Sequence, residues 1–222
     1  MARAEGNPLG TLLLVGAVAA GAALIVSASH EFSKDRIAAN QRARLLASLN
    51  SVLDPSLRER DLNTVRLSVI DNELLGDDDP VDVFIATEAA QPVAAVFASI
   101  APDGYNAPIR LLIGISSSGS VTGVRVVGHR ETPGLGDAID VAKSDWIRQF
   151  DGRSLQMPPL EGWAIDKEED GGMFDTLTGA TVTSRAVVNA VKNTLLYFEQ
   201  HQQDLFTAAT EILRSNDART DE

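Results

Sequence analysis

The stretch VDVFIATEAAQPVAAVFASI, residues 81–100, contains two apolar runs separated by a few small and polar positions. Its Val, Ile and Phe content favours strands, so we expect strands over VDVFIATE (81–88) and PVAAVFASI (92–100). The same pattern occurs on both sides of this stretch, in TVRLSVI (64–70), IRLLIGIS (109–116) and VTGVRVV (121–127). Because the connections between 81 and 127 leave no room for crossover helices, we predict mainly antiparallel pairing.

Turn signals separate these runs, at 77–80 (DDDP), 103–106 (DGYN) and 117–120 (SSGS). Helices are predicted on either side of the strands. The first is amphipathic over 30–53 and ends at Asp54-Pro55. A short helix is expected around 144–150, and a longer one from Ser184 to about Gln200. Strands in one block with helices at the ends predict an α+β fold, a mainly antiparallel sheet flanked by helices.

The chain divides into four predicted segments: a membrane anchor (1–29), an amphipathic helical connector (30–60), a sheet domain (61–205) and a polar C-terminal tail (206–222). No charged residue occurs from Pro8 to Ser29, and this length is enough for one helix across a bilayer core of about 30 Å. The alternative is a cleaved signal peptide, since VSASHE offers a small-x-small site.

Composition excludes several classes of function. The net charge of -12 argues against nucleic-acid binding, which needs clustered Lys and Arg. The chain has no Cys, which excludes disulfides, thiolate metal sites and Cys nucleophiles. Its 3 His residues are widely spaced, which argues against a histidine metal site. Redox or group-transfer chemistry therefore requires an acquired cofactor, or hydroxyls and carboxylates.

Hydroxyl side chains cluster in FDTLTGATVTSRAVV (174–188), before the last predicted helix. We expect Thr183 or Ser184 to cap that helix, and Gly179-Ala180 to allow a tight turn. Thr181 would then lie just outside a helix N-terminus, where a phosphate is favoured. Helix capping alone is the alternative. Nucleophilic catalysis by threonine is a third reading, but it needs a base and the segment holds none.

A second candidate is the loop GHRETPGLG (128–136), which follows the predicted strand 121–127. Two glycines flank Leu135, so this loop can approach a flat ligand closely. The alternative is an ordinary turn at a strand end. The aromatic side chains that follow, Trp146, Phe150 and Trp163, are expected in the core, with stacking on a ligand ring as the alternative.

The two segments together resemble a known family. DTLTGAT (175–181) is similar to the flavinylation pattern Asp-x-x-(Ser/Thr)-Gly-Ala-Thr, with Thr178 in place of the more frequent Ser, and HRETPGLG (129–136) is similar to its companion loop. Both occur in membrane-anchored proteins with covalent FMN, namely the G subunit of the Rnf (Rsx) electron-transport complex and the C subunit of the sodium-pumping NADH:quinone oxidoreductase. The single predicted anchor, GYNAPI (104–109) and DWIRQFDGRS (145–154) resemble the former more closely, although Ala107 stands where a glycine is common.

This resemblance implies that Thr181 carries FMN through a phosphoester, installed by a flavin transferase that uses FAD and a divalent metal. It further implies that Thr183 and Ser184 help to hold the phosphate. Recognition by the transferase is implied for Asp175, Thr178, Gly179 and Ala180. Contact with the flavin is implied for the companion loop, at His129, Glu131, Thr132, Gly134, Leu135 and Gly136.

The implied function is electron transfer within a bacterial inner-membrane complex that couples ferredoxin and NAD to ion transport, with other membrane subunits as partners and no independent turnover. The resemblance places the main domain in the periplasm. The basic residues indicate the opposite side, because only Arg3 precedes the anchor whereas Lys34, Arg36, Arg42 and Arg44 follow it. We follow the resemblance. A non-redox binding module, in which the hydroxyls only cap a helix, is the alternative of a different class.

Overall fold

The computed structural model of the chain describes residues 47–58, 63–166 and 171–220, together with Gly16 and Ala19. The predicted anchor, apart from those two positions, and most of the predicted connector lie outside the described residues. Within the described ranges, no helix is both long enough and apolar enough to cross a membrane. Residues Ser48–Glu222 form one compact unit.

The described part of this unit contains one six-stranded sheet in which every pairing is antiparallel. The strands are β1 (Asn63–Asp71), β2 (Asp77–Glu88), β3 (Gln91–Phe97), β4 (Ile100–Ala101), β5 (Ile109–Ser116) and β6 (Val121–Gly128). Strands β1, β2, β3 and β5 follow one another across the sheet, and β5 also pairs with β4 and with β6. The predicted antiparallel α+β architecture is therefore confirmed.

Two details of the strand prediction are wrong. Residues 77–80 open β2 instead of forming a turn, because the reversal before them is made by a short helix, Asn72–Leu75, and by Gly76. Gly76 has a φ of 76°, in the left-handed region that favours glycine. The predicted strand 92–100 is divided into β3 and β4 by Ala98 and Ser99.

The helices are α1 (Pro55–Arg58), α2 (Asn72–Leu75) and α3 (Thr181–Thr220), with 3-10 turns at Gly136–Ile139, Trp146–Phe150 and Leu160–Gly162. Residues 47–52 are also helical and end before Asp54-Pro55, as predicted. α3 is longer than predicted at both ends. The helix continues through this range, Ala209 is buried in the core and Leu213 packs against it, so a separate tail that begins at 206 is wrong. Apart from Ile212 and Ala218, the exposed positions described in the C-terminal half of α3 are polar, which is why this half resembled a tail.

Both faces of the sheet are covered, which explains why its strands read as continuous apolar runs. Alternate residues of β2 face opposite sides: Val83 and Ile85 pack in the cluster that contains α3, whereas Phe84 and Ala86 pack in the other. The second cluster includes Leu49, Val52 and Leu53. Residues 48–58 therefore belong to the sheet domain and not to a separate connector.

Aromatic side chains fill the region between the sheet and the segment before α3. Phe150 and Trp163 are buried, as predicted. The Phe150 ring stacks with Phe174 at a centroid distance of 5.0 Å, and the Trp163 ring lies tilted against Phe174 at 4.7 Å. The rings of Trp146 and Phe150 are T-shaped to one another, with centroids 5.7 Å apart. Because Phe174 is the first residue of the hydroxyl-rich segment, this aromatic cluster anchors the segment to the core.

Candidate functional site

The two sequence segments, far apart in the chain, line one cavity of about 520 Å³. This volume falls within the range of roughly 300–1,000 Å³ that is typical of small-molecule sites. The companion loop contributes Glu131, Thr132, Leu135 and Gly136. The hydroxyl-rich segment contributes Gly179, Ala180, Thr181, Val182 and Thr183, and Tyr105 completes the lining.

Side chains of the irregular region position the chain just before the cavity. The indole Nε1 of Trp146 donates to the Asp175 carbonyl at 2.7 Å, and the Asp175 backbone N–H donates to Gln149 Oε1 at 2.8 Å. The neighbouring Thr176 hydroxyl donates to Asp166 at 2.5 Å. The backbone is thus fixed on both sides of Asp175, while the residue itself remains exposed.

A tight turn leads into α3. The Ala180 N–H donates to the Leu177 carbonyl at 3.0 Å, and Gly179 has a φ of 79°, which a glycine adopts without strain. The Ser184 hydroxyl holds this turn, since it donates to the Ala180 carbonyl and accepts from the Leu177 N–H, both at 3.0 Å. Ser184 is fully buried and does not line the cavity.

α3 begins at Thr181, so the prediction of Thr183 or Ser184 as its cap is wrong. Both residues lie in the first turn instead, where each hydroxyl has a buried partner. Among the described residues, the Thr181 hydroxyl makes no hydrogen bond, and Thr181 is half-buried on the cavity wall. The first backbone N–H groups of a helix have no partner within it and carry partial positive charge, which favours an anion beside Thr181.

Glu131 connects the companion loop to α3. Its Oε2 accepts from the Thr183 hydroxyl at 2.5 Å, and its Oε1 accepts from the Asn106 backbone N–H at 3.2 Å. The Asn106 side chain in turn donates to the Arg130 carbonyl at 3.0 Å. Glu131 and Thr183 are only 4% and 1% exposed. One carboxylate therefore joins the three segments that form the cavity.

The glycines of the companion loop have two different roles. Gly134 has a φ of 77° and donates its N–H to Asp137 Oδ1 at 2.7 Å, which closes the loop. Gly136 is buried, and a Cβ there would lie 3.0 Å from atoms of both Glu131 and Thr183. Gly136 thus leaves room for the contact between those two side chains.

The structure separates the predicted site residues into two groups. Those that line the cavity are Thr181, Gly179, Ala180, Thr183, Glu131, Thr132, Leu135 and Gly136; those that do not are Thr178, Ser184, His129 and Gly134. His129 lines a different cavity, of about 430 Å³, and its Nδ1 accepts the Glu131 N–H at 3.1 Å. Tyr105, Asn106 and Val182 were not among the predicted site residues. The proximity of Tyr105 and Asn106 to the site arises from the tertiary fold, whereas Val182 lies between Thr181 and Thr183 in the sequence and was missed because it carries no polar group.

A known protein family matches the part of the chain that contains the cavity. The FMN-binding domain family matches residues 104–196, a range that contains every residue lining the cavity. The chain is 42% identical over 183 residues to the G subunit of the ion-translocating oxidoreductase complex from Shewanella baltica (strain OS223), which covers 82% of this chain and 85% of that protein. The protein of the same name from Aliivibrio fischeri (strain MJ11) is 37% identical over 195 residues, covering 88% and 92% respectively.

This chain belongs to that family of G subunits. The resemblance to the Rnf (Rsx) G subunit is therefore confirmed, and so is FMN as the cofactor. The family also agrees with the predicted class of function, an electron-transfer subunit of an ion-translocating oxidoreductase complex. The similarity extends well beyond the cavity, since another family member, from Shewanella loihica (strain ATCC BAA-1088 / PV-4), covers 86% of this chain at 41% identity.

Proposed function

We propose that this protein relays electrons through FMN attached covalently to Thr181, as a subunit of an ion-translocating oxidoreductase complex in the bacterial inner membrane. The observation that carries the proposal is the difference between Thr181 and its neighbours. Thr181 lines the cavity at the start of α3 with a hydroxyl that has no partner among the described residues, whereas the Thr183 and Ser184 hydroxyls have buried partners.

The cavity suits the chemistry of a flavin phosphate. Tyr105, Leu135 and Val182 offer large apolar surfaces that are partly exposed, as a flat ring system requires. The N-terminus of α3 offers N–H groups and partial positive charge to the phosphate. Gly179 presents no side chain to the ligand, and the cavity volume is that of an ordinary cofactor site.

The attachment chemistry needs only one hydroxyl from this chain. The Thr181 Oγ1–H bond breaks, and the oxygen forms a phosphoester with the flavin-side phosphorus of FAD. The bond from that phosphorus to AMP breaks, and AMP leaves with the bridging oxygen. A flavin transferase supplies the base and the divalent metal. Asp175, Thr178 and Gly179 are exposed beside Thr181, where such an enzyme could contact them.

When bound, the flavin supplies the electron-transfer chemistry, and the chain supplies orientation and shielding. Glu131 and Thr183 form a buried wall of the cavity, and Leu135 and Val182 form its partly exposed rim. Covalent attachment prevents loss of the cofactor, which matters most if the domain faces the periplasm, as we propose. The other membrane subunits of the complex would then deliver and remove electrons.

The test is co-expression of the full chain with a flavin transferase, followed by a denaturing gel viewed under ultraviolet light and by intact mass measurement. Wild type should fluoresce and gain the mass of one FMN less one water. Thr181→Val should do neither, because it removes only the hydroxyl. Thr207→Val, at an exposed position on the same helix, is the matched control and should behave as wild type.

Fluorescence of Thr181→Val equal to that of wild type would place the attachment elsewhere. Failure of wild type to take up flavin, alongside a known flavinylated protein as a positive control, would favour the non-redox binding module.

A further inference from the structure

Glu131 is a buried acid whose contacts are hydrogen bonds and not ion pairs. It is 4% exposed, and the ion pairs formed by the residues that the structure describes do not include it. Its two oxygens accept hydrogen bonds from Thr183 and Asn106, an arrangement that suits a carboxylate, which is acceptor-only. Burial of a carboxylate is unfavourable unless hydrogen bonds or cations compensate it. A charge kept in this position therefore suggests a role beyond packing.

We propose that Glu131 is a positioning residue that also keeps a negative charge beside the flavin and so lowers the flavin reduction potential. This inference rests on the proposed function, because it needs the flavin to occupy the cavity that Glu131 lines.

Two features make the charge effective. Glu131 is held on both oxygens, so it cannot turn away from the cavity without breaking contacts to two other segments. Burial also limits screening by water and salt, so a charge here acts more strongly on a neighbouring group than a surface charge does. Added electrons on the flavin are disfavoured by a fixed negative charge, which corresponds to a lower reduction potential.

The experiment measures the reduction potential of the flavinylated full chain in wild type and in Glu131→Gln. Glutamine keeps the shape of the side chain, and its amide oxygen can still accept from the Asn106 N–H. The Thr183 hydroxyl can accept from the amide nitrogen instead of donating. We therefore expect the flavin of this variant to have a reduction potential shifted to a more positive value.

Asp137→Asn is the matched control. Asp137 belongs to the same loop, is partly buried and accepts a hydrogen bond from Gly134, but it does not line the cavity and has Lys143 Nζ at 3.9 Å. The loss of charge in Asp137→Asn should shift the flavin reduction potential much less than the loss of charge in Glu131→Gln does. An unchanged potential in Glu131→Gln, or one shifted no more than in Asp137→Asn, would overturn the proposal.

Other outcomes are also decisive. A Glu131→Gln chain that folds as wild type but takes no flavin would overturn the proposal, because it would place Glu131 in the attachment step. Failure of the wild-type chain to take flavin would instead contradict the proposed function itself.

If Glu131→Gln does not fold, the effect of the Glu131 charge on the flavin reduction potential is tested with Thr183→Val, because Thr183 is the hydrogen-bond partner of Glu131. This variant removes the hydroxyl that donates to Oε2 and leaves the carboxylate less compensated, so the potential should become more negative. Thr183→Ser keeps the donor and should restore the wild-type potential. A shift to a more positive value in Thr183→Val, or the same potential in all three chains, would contradict the proposal.

Discussion

Thr181 and Thr183 are two residues apart in the same helical turn, yet their environments are opposite. Thr181 is half-buried on the cavity wall, and its hydroxyl has no partner in the described part of the chain. Thr183 is 1% exposed and donates to the carboxylate of Glu131, which lies 52 residues earlier in the sequence. The difference shows that a run of similar side chains combines one hydroxyl without a partner in the described residues with others that build its surroundings. We therefore predict that substitutions around Thr183 change the free energy of unfolding, whereas substitutions at Thr181 change only the attachment of flavin.

The largest effect on stability is expected from Thr183→Val. The substitution keeps the shape of the side chain but leaves the buried Glu131 carboxylate without one donor. Hydrogen bonds to charged groups contribute about 1.5–3 kcal/mol, so the free energy of unfolding should fall by about 2–3 kcal/mol in a urea titration. Thr207→Val is the exposed control on the same helix and should change it by under about 0.5 kcal/mol. If Thr183→Val lowers the free energy of unfolding no more than Thr207→Val does, Thr183 has no structural role that would distinguish it from Thr181.

Gly136→Ala tests the same contact by crowding it. The added methyl group would lie 3.0 Å from Glu131 and Thr183 atoms, too close for an undisturbed fit. Overpacking of this kind typically costs about 1–3 kcal/mol, and we expect a loss in that range by urea titration. Gly128→Ala is matched to it, because a Cβ there meets its nearest neighbour at an ordinary 3.7 Å. A Gly136→Ala chain as stable as Gly128→Ala would argue against a close Glu131–Thr183 contact.

Ser184→Ala should have a smaller effect. It removes a hydroxyl that bridges the Leu177 N–H and the Ala180 carbonyl, but the carbonyl keeps its bond from the Ser184 N–H. A loss of about 1–2 kcal/mol is expected, mainly from the unpaired Leu177 N–H. Ser215→Ala, exposed on the same helix, should be close to neutral. If Ser184→Ala is equally neutral, the turn before Thr181 is held by other contacts.

Thr181→Val is expected to have the smallest effect on stability. Its hydroxyl has no partner among the described residues, so the unfolding free energy should stay within about 0.5 kcal/mol of wild type. The same substitution should abolish covalent flavin. A large destabilisation would instead assign Thr181 a structural role similar to that of Thr183.

The strands were predictable from the sequence because local signals define them. Turn residues punctuate short apolar runs, and β5 begins and ends at the predicted residues, Ile109–Ser116. Errors arose where tertiary contacts outweigh local preference. Thr183 and Ser184 are good capping residues, but their hydroxyls are used by Glu131 and by the preceding turn, and α3 begins earlier.

The candidate site was predictable as two segments but not as an arrangement. Sequence resemblance brought Thr181 and the companion loop together as parts of one site, and the structure places them around one cavity. Nothing local indicated that Asn106 would bond to both Glu131 and Arg130. Nor could the sequence show that Gly136 provides space for a side-chain contact, since the neighbouring atoms come from distant parts of the chain.

The most direct test of the central claim is to locate the flavin on the chain. The full-length protein would be matured with a flavin transferase, digested with trypsin, and the peptide that ends at Arg185 fragmented by mass spectrometry. We predict one FMN phosphoester, on Thr181, with Thr176, Thr178, Thr183 and Ser184 unmodified. A flavin on any of those four hydroxyls, or on a different peptide, would contradict the assignment.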